Sequence, residues 1–145
     1  MNSTLIAVVS YLDNEFRESV GSFLTEQFQI EPVYFDFLTT ASFKRKNLDV
    51  YLINSDAMSK NREYSHNFQS VTIRAISSQR KSIIMLTKKL LASDFLHNLE
   101  LSATDTIDIG GGMDSLTVPL SRHLLERQLA LFEKGEGKGD RNVLK

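Results

Sequence analysis

The sequence contains no cysteine, so neither a disulfide framework nor a thiolate metal site is available to it. It also has no basic excess. Seventeen Lys plus Arg stand against eighteen Asp plus Glu, for a formal net charge of -1, whereas attraction to a phosphate backbone rests on clustered positive charge. Direct nucleic-acid contact by this segment is not expected. Met1-Asn2-Ser3-Thr4 lacks the basic start of a secretory signal. The apolar run from Leu5 to Val9 falls far short of the roughly 20 residues that cross a bilayer. No membrane association is expected, and the reading is of a cytoplasmic protein.

What is present is average for a folded domain. The 145 residues are 41% hydrophobic and 24% charged, enough for one domain with a real core. Leu5-Ile6-Ala7-Val8-Val9 reads as a strand buried on both faces. Asp13 can cap a helix over about 14–27, in which Phe16, Val20, Phe23, Leu24 and Phe28 recur at three- and four-residue spacing. Pro32 to Phe37 reads as a second strand, followed by a short polar helix around Ala41 to Lys46 that carries Phe43. Asp49 to Ile53 is a third strand, and the aperiodic stretch from Asp56 to Ser65 argues for a mobile loop.

A third helix carries Phe68, Val71, Ile73 and Ile76. Ser82 to Thr87 is a fourth strand, and Ser93 to Leu101 a fourth helix, with Ser93 as its cap and Phe95, Leu96 and Leu99 on its inner side. Thr106 to Ile109 makes a fifth strand. After Gly110-Gly111-Gly112 a last helix runs from about Val118 through Leu120, Leu124, Leu125, Leu129 and Phe132, with Pro119 in its first turn. Residues 1–134 are thus expected to form the domain. The glycine- and charge-rich 135–145 reads as a flexible linker or tail.

Strands alternating with helices imply an α/β fold, a doubly wound five-stranded parallel sheet with helices on both faces. The flavodoxin-like order 2-1-3-4-5 is the natural arrangement for that count.

In such a sheet the chemistry sits at the carboxyl ends of the strands, which brings Asn54 forward. An Asp there could hold Mg²⁺ and attack a phosphoryl donor; an amide does neither. Over roughly Thr4 to Phe132 the pattern resembles the receiver domain of bacterial response regulators. The matching stretches are Asn14-Glu15-Phe16-Arg17-Glu18, Asp49 to Met58, Ile83 to Thr87 and Asn98 to Ile107. The resemblance implies an acidic pair at Tyr11 and Leu12, a phosphoacceptor at Asn54, a hydroxyl at Thr87 and a Lys-Pro corner at Ile109 and Gly110. Of these only the threonine matches. No metal, no cofactor, no catalytic residue and no phosphorylation are therefore expected.

Two acids keep a shifted register open. Asp13 could join the acidic pair, although Phe16 and Arg17 fit the family register only with Asp13 one position later. Asp56 could be the acceptor, at the cost of extending the third strand by two polar residues.

The triple glycine could cradle a phosphate with free N–H groups, yet it lacks G-x-G-x-x-G and a following Lys-Ser/Thr and reads better as a turn. His66, His97 and His123 have no metal spacing, and Lys88-Lys89 reads as a solvated pair. Tyr34, Phe35, Phe37 and Phe43 read as core or interface packing. At Thr106 the family usually carries an aromatic ring.

The resemblance implies a non-catalytic pseudo-receiver, a signalling module acting by homodimerisation or protein contact through its fourth helix, fifth strand and fifth helix. Asp94, His97, Arg122, Glu126 and Arg127 are the polar residues expected on that face. The partner would be a second copy or an output domain such as a transcription activator. Two alternatives stand beside it: a nucleotide or second-messenger sensor near Ser10, Asn54, Thr87 and the glycines, and a receiver phosphorylated on Asp56.

Overall fold

Strands form where β-branched and aliphatic residues run together. In the computed structural model, which describes residues 5–39, 48–60 and 66–143, these are β1 (Leu5–Val9), β2 (Val33–Phe35), β3 (Leu48–Asn54), β4 (Ser82–Thr87) and β5 (Asp105–Asp108). They make one sheet of order β2-β1-β3-β4-β5, with every neighbouring pair parallel. This is the flavodoxin-like arrangement anticipated from the sequence. Asp49 to Ile53 gains a residue at each end, and the second strand shrinks to three.

The helices are α1 (Asn14–Phe28), α2 (Ser55–Lys60), α3 (His66–Ser78), α4 (Ala92–Glu100) and α5 (Thr117–Val143), with a 3₁₀ turn at Met113–Leu116. The chain divides into two compact units, residues 1–115 and 116–145. The first holds the sheet and α1 to α4. The second is essentially α5, which continues through Gly135, Gly137 and Gly139 to Val143. The helix expected around Ala41 to Lys46 lies outside the described residues.

Both faces of the sheet are buried, which is why β1, β3 and β4 read as unbroken apolar runs rather than alternating ones. Ala7, Val9, Tyr51, Ile53, Ile83 and Met85 share a core with Ile73 and Ile76 of α3 and Met58 of α2. The alternate residues Ile6, Val8, Leu52, Ile84 and Leu86 are fully buried too, as period-two side chains on the opposite face. Burying each such side chain contributes about 1.5–3 kcal/mol.

Three local expectations change. Ser55–Lys60 is helix where a loop was expected from residue 56. An aperiodic stretch can hold a short helix when its ends are satisfied, and here the Asn54 Oδ1 accepts the Ala57 N–H at 3.2 Å while Met58 enters the core. Val71 of α3 is exposed, and its buried places go to Gln69, Thr72, Ile73 and Ile76.

The largest change is in α4. Its N-cap is Leu91, without a side-chain cap bond, so Ser93 lies in the first turn rather than at the cap. Phe95, Leu96 and Leu99, expected inside, are 43%, 60% and 54% exposed. The inward face instead carries half-buried Asp94 and His97, buried Asn98 and, just past the helix, buried Leu101. Asn98 Nδ2 donates to the Thr106 Oγ1 of β5 at 3.2 Å, and its carbonyl accepts the Ala103 N–H at 3.0 Å. A polar contact therefore ties α4 to the sheet at the position where an aromatic ring was expected in the family.

Thr106→Val keeps the shape of the side chain and removes the acceptor for a buried amide. Leaving that N–H unpaired should cost about 1–3 kcal/mol, read as a lower midpoint in denaturant together with lost amide-exchange protection in α4.

Candidate functional site

Parallel strands all end on the same edge of the sheet. The registers Val9↔Ile53, Asn54↔Leu86 and Thr87↔Asp108 bring the residues after β1, the end of β3, the end of β4 and the turn after β5 together there. All of them lie in the first compact unit.

The turn after β1 is shaped by two consecutive non-glycine residues with positive φ, Tyr11 at 53° and Leu12 at 66°. That conformation costs roughly 1–2 kcal/mol per residue, so neighbouring contacts must hold it. Ser10 and Tyr11 donate backbone N–H bonds to the Phe35 and Asp36 carbonyls, each at 3.0 Å. The Tyr11 ring is buried, and its hydroxyl donates to the Gln69 Oε1 at 2.8 Å. Gln69 also accepts the Leu38 N–H at 3.0 Å and donates Nε2 to the Leu38 carbonyl at 3.1 Å. Burial holds the Tyr11 phenol neutral, with its pKa well above the usual tyrosine value. Leu12 goes the other way and is 52% exposed. The two positions of the expected acidic pair thus hold a core phenol and an outward aliphatic chain.

Asn54 is buried and uses both ends of its amide. Nδ2 donates to the Ser10 carbonyl at 3.1 Å and reaches the Asp13 Oδ2 at 3.4 Å; Oδ1 caps α2 at Ala57. Asp13 in turn caps α1, its Oδ1 accepting the Phe16 N–H at 3.1 Å. One amide therefore bonds the turn after β1 to the end of β3 and to the first turn of α2.

The β4 end is occupied from both sides by carboxylates. Asp56 Oδ1 accepts the Thr87 hydroxyl at 2.6 Å, and Oδ2 accepts the Lys88 N–H at 2.9 Å. Asp108 accepts the Leu90 N–H on Oδ2 at 3.0 Å and the Gly110 N–H on Oδ1 at 2.7 Å. Those two bonds, the Leu90 one foremost, lower the Asp108 pKa from the ordinary aspartate value. The Ile109 N–H continues the ladder to the Thr87 carbonyl at 2.8 Å. Gly110 lies so close to Lys88 that a Cβ there would meet the Lys88 carbonyl oxygen, and Gly112 sits at φ 130°. The glycine run is thus a tight corner against β4, and two of its N–H groups already have partners, Gly112 donating to the Ile109 carbonyl at 3.1 Å.

A cleft of about 410 Å³ opens on this edge, lined by Tyr11, Leu12, Asp13, Phe16, Asn54, Asp56, Ala57, Leu86, Lys88 and Ile109. Four of the five residues anticipated for the pocket line it, and the fifth, Thr87, is bonded to Asp56. Asp94 and His97 lie on α4, and Arg122, Glu126 and Arg127 on α5; none of these lines the cleft. Reasoning from sequence missed Asp108 and Gln69. An Asp before consecutive glycines is a turn signal that could have drawn attention to the first; nothing local pointed to the second.

The Mg²⁺ of the receiver family does not fit these residues. Hard-cation sites are built from free oxygen ligands, with one or more carboxylates among them. Both oxygens of Asp56 are bonded, one oxygen of Asp13 caps a helix, and Asn54 turns its NH₂ toward Asp13. Among the described residues no group of three or more His, Cys, Asp or Glu could hold a metal ion, and no helix is long and apolar enough to cross a membrane.

No protein-family model matches the chain, and no curated protein sequence does. Among solved structures it is similar to a response regulator receiver protein from Pseudoalteromonas atlantica. The TM-score is 0.59 at 12% sequence identity, covering 86% of this chain and 98% of that one. The likeness is one of fold.

Asn54→Asp replaces a donor with a carboxylate facing the Ser10 carbonyl and Asp13. It should cost about 1–3 kcal/mol at neutral pH. The new acid would be easier to protonate in the folded state than in the unfolded one, so the deficit should shrink on acidification; paired denaturant melts at neutral and acid pH measure it.

For Asp108 the sign is opposite. Its lowered folded pKa gives stability that is complete above the ordinary aspartate range and is lost as pH falls through the lowered value. Asp108→Asn should therefore flatten the acid limb of the stability profile.

Proposed function

We propose that the protein is a receiver-like regulatory module that works without phosphorylation and without catalysis, through contact with protein. The observation that carries this is the state of the hydrogen-bonding groups at the cleft. In a phospho-switch, donors at this edge must be free to meet an incoming phosphoryl group, and charge developing in transfer must be neutralised. Here Thr87 and Lys88 N–H are taken by Asp56, Leu90 and Gly110 N–H by Asp108, and the acceptor position is an amide bonded on both ends.

The alternatives draw less support. A nucleotide sensor would need the glycine N–H groups, and its phosphates would meet Asp13 and Asp56 across the cleft. An acceptor role for Asp56 would need a carboxylate oxygen free to attack, whereas both are bonded and the residue lies in the first turn of a helix rather than at the end of a strand. The partner in the proposed reading is a second copy or an output domain, for which a transcription activator is the family analogy, met through α4, β5 and α5. Residues 1–134 would form the module, 135–145 would serve as its tether, and the site of action would be the cytoplasm.

The test is incubation with a small phosphodonor and Mg²⁺, followed by intact-mass measurement. Wild type and Asn54→Asp should both remain unmodified, because the mutant still lacks the acidic pair and the lysine. A stable phosphoryl adduct on Asp56 of the wild type would overturn the proposal.

A further inference from the structure

The sheet has a free edge at β2. That strand comes first in the order β2-β1-β3-β4-β5, and among the described residues no strand lies beyond it. Ser10 donates its N–H to the Phe35 carbonyl within the register Val9↔Phe35, so Phe35 turns its backbone groups to β1. Alternate residues of a strand turn theirs to opposite sides, which leaves the Tyr34 N–H and carbonyl facing outward. Open edge groups of this kind are a template for a further strand. Exposed Glu31 and Asp36 stand at either end of the edge, and Pro32, which has no N–H, stops the ladder from running on.

Beside that edge α1 opens a groove of about 340 Å³, lined by Glu18, Gly21, Ser22, Thr25 and Glu26 of the helix and by Tyr34. Gly21 is buried in the middle of α1, where glycine is a poor helix former, and a Cβ there would meet the Tyr34 hydroxyl. The missing side chain is what admits the ring. Arg17 lies over the same ring at 4.4 Å from its centroid, so the phenol is clamped between helix and strand. The Thr25 hydroxyl donates back to the Gly21 carbonyl at 3.0 Å. The charge of the groove therefore comes from exposed Glu18 and Glu26, about 12 Å apart along the helix axis, and no described Lys or Arg lines it.

We infer that this edge is a docking site for an extended basic segment of another protein, which adds a short strand to β2 at Tyr34 and seats a lysine or arginine side chain in the groove between Glu18 and Glu26. In strand addition the main chain supplies hydrogen bonds and an adjoining pocket supplies the choice of side chain. Four exposed carboxylates, Glu18, Glu26, Glu31 and Asp36, lie on α1 and at the ends of β2. Their charge fits a cationic partner and disfavours the β2 edge of a second copy, which carries the same acids. The surface is at the opposite edge of the sheet from β5, so it is separate from the contact through α4, β5 and α5 proposed above and does not depend on it. One outward residue and an open groove make a contact of the small, transient class.

The probe is a short fluorescein-labelled peptide of alternating valine and threonine with one central arginine, capped at both ends, titrated with the full chain up to millimolar concentration and read by fluorescence anisotropy. It should bind saturably, and more weakly as salt is raised. Glu18→Lys and Glu26→Lys should each weaken binding roughly two- to fivefold, the range of exposed charge pairs, with unchanged circular dichroism and melting because both side chains are exposed. Replacing the arginine of the peptide by glutamate, or methylating its backbone nitrogens, should abolish binding, and amide shifts on titration should centre on Tyr34. Phe95→Asp, on α4, should bind as the wild type does. No saturable binding, binding indifferent to both glutamate substitutions, or shifts confined to α4 and β5 would overturn the inference. Equal binding of the methylated peptide would overturn strand addition. Self-association of the wild type that either glutamate substitution abolishes would assign the edge to a second copy and overturn the partner named here. None of these outcomes alters the phosphodonor result, so the two readings fail separately.

Discussion

Everything at the carboxyl edge depends on a hydrogen bond that only an amide can make there. Asn54 gives Nδ2 to the Ser10 carbonyl and takes the Ala57 N–H on Oδ1, so it is at once a cross-link between the ends of two central strands and the cap of the helix that follows. A carboxylate could take the cap but could not donate. Asn is also among the best helix-capping residues, and this is what lets the six residues of α2 hold helical form with little periodicity of their own. From α2, Asp56 reaches Thr87 and Lys88, so the amide at β3 indirectly governs how β4 ends.

The edge is thereby filled from within. Internal carboxylates and amides accept from the groups that would greet an external anion, and the phenol at Tyr11 takes a core position with its own buried partner in Gln69. Unpaired buried polar atoms are costly, and among the described residues no buried side-chain nitrogen or oxygen is left unpaired. Two strained residues at Tyr11 and Leu12 are tolerated because backbone bonds on the β2 side hold the turn.

The fourth helix shows how the same economy of contacts shapes the surface. Asn98 rather than a leucine makes the inward contact, to Thr106. With Asn98 inward, Leu96 falls on roughly the opposite side of the helix, while Phe95 and Leu99 flank the inward face, and their exposures of 60%, 43% and 54% follow that order. The Thr in place of an aromatic at 106 is thus more than a loss: its hydroxyl accepts the buried Asn98 amide of α4.

Much of this fold was written in local sequence. β1, β3 and β4 are apolar runs because both faces of a parallel sheet are buried, and Asp13 announced α1 by a cap that it does form. Asn54 could be named because the strand ends of such a sheet present its chemistry, and Tyr11, Leu12 and Ile109 because the resemblance to receiver domains carries pocket positions onto them. Other features required partners distant in the chain. Gln69 joins Tyr11 across 58 residues and Leu38 across 31, and Asp56 meets Thr87 across 31; no window along the sequence contains both members of such a pair. Periodicity likewise grouped Phe95, Leu96 and Leu99 on one side of α4, but placed that side inward, whereas all three are exposed. Which face meets the sheet is decided by what the sheet offers at that point, and at Thr106 it offers a hydroxyl.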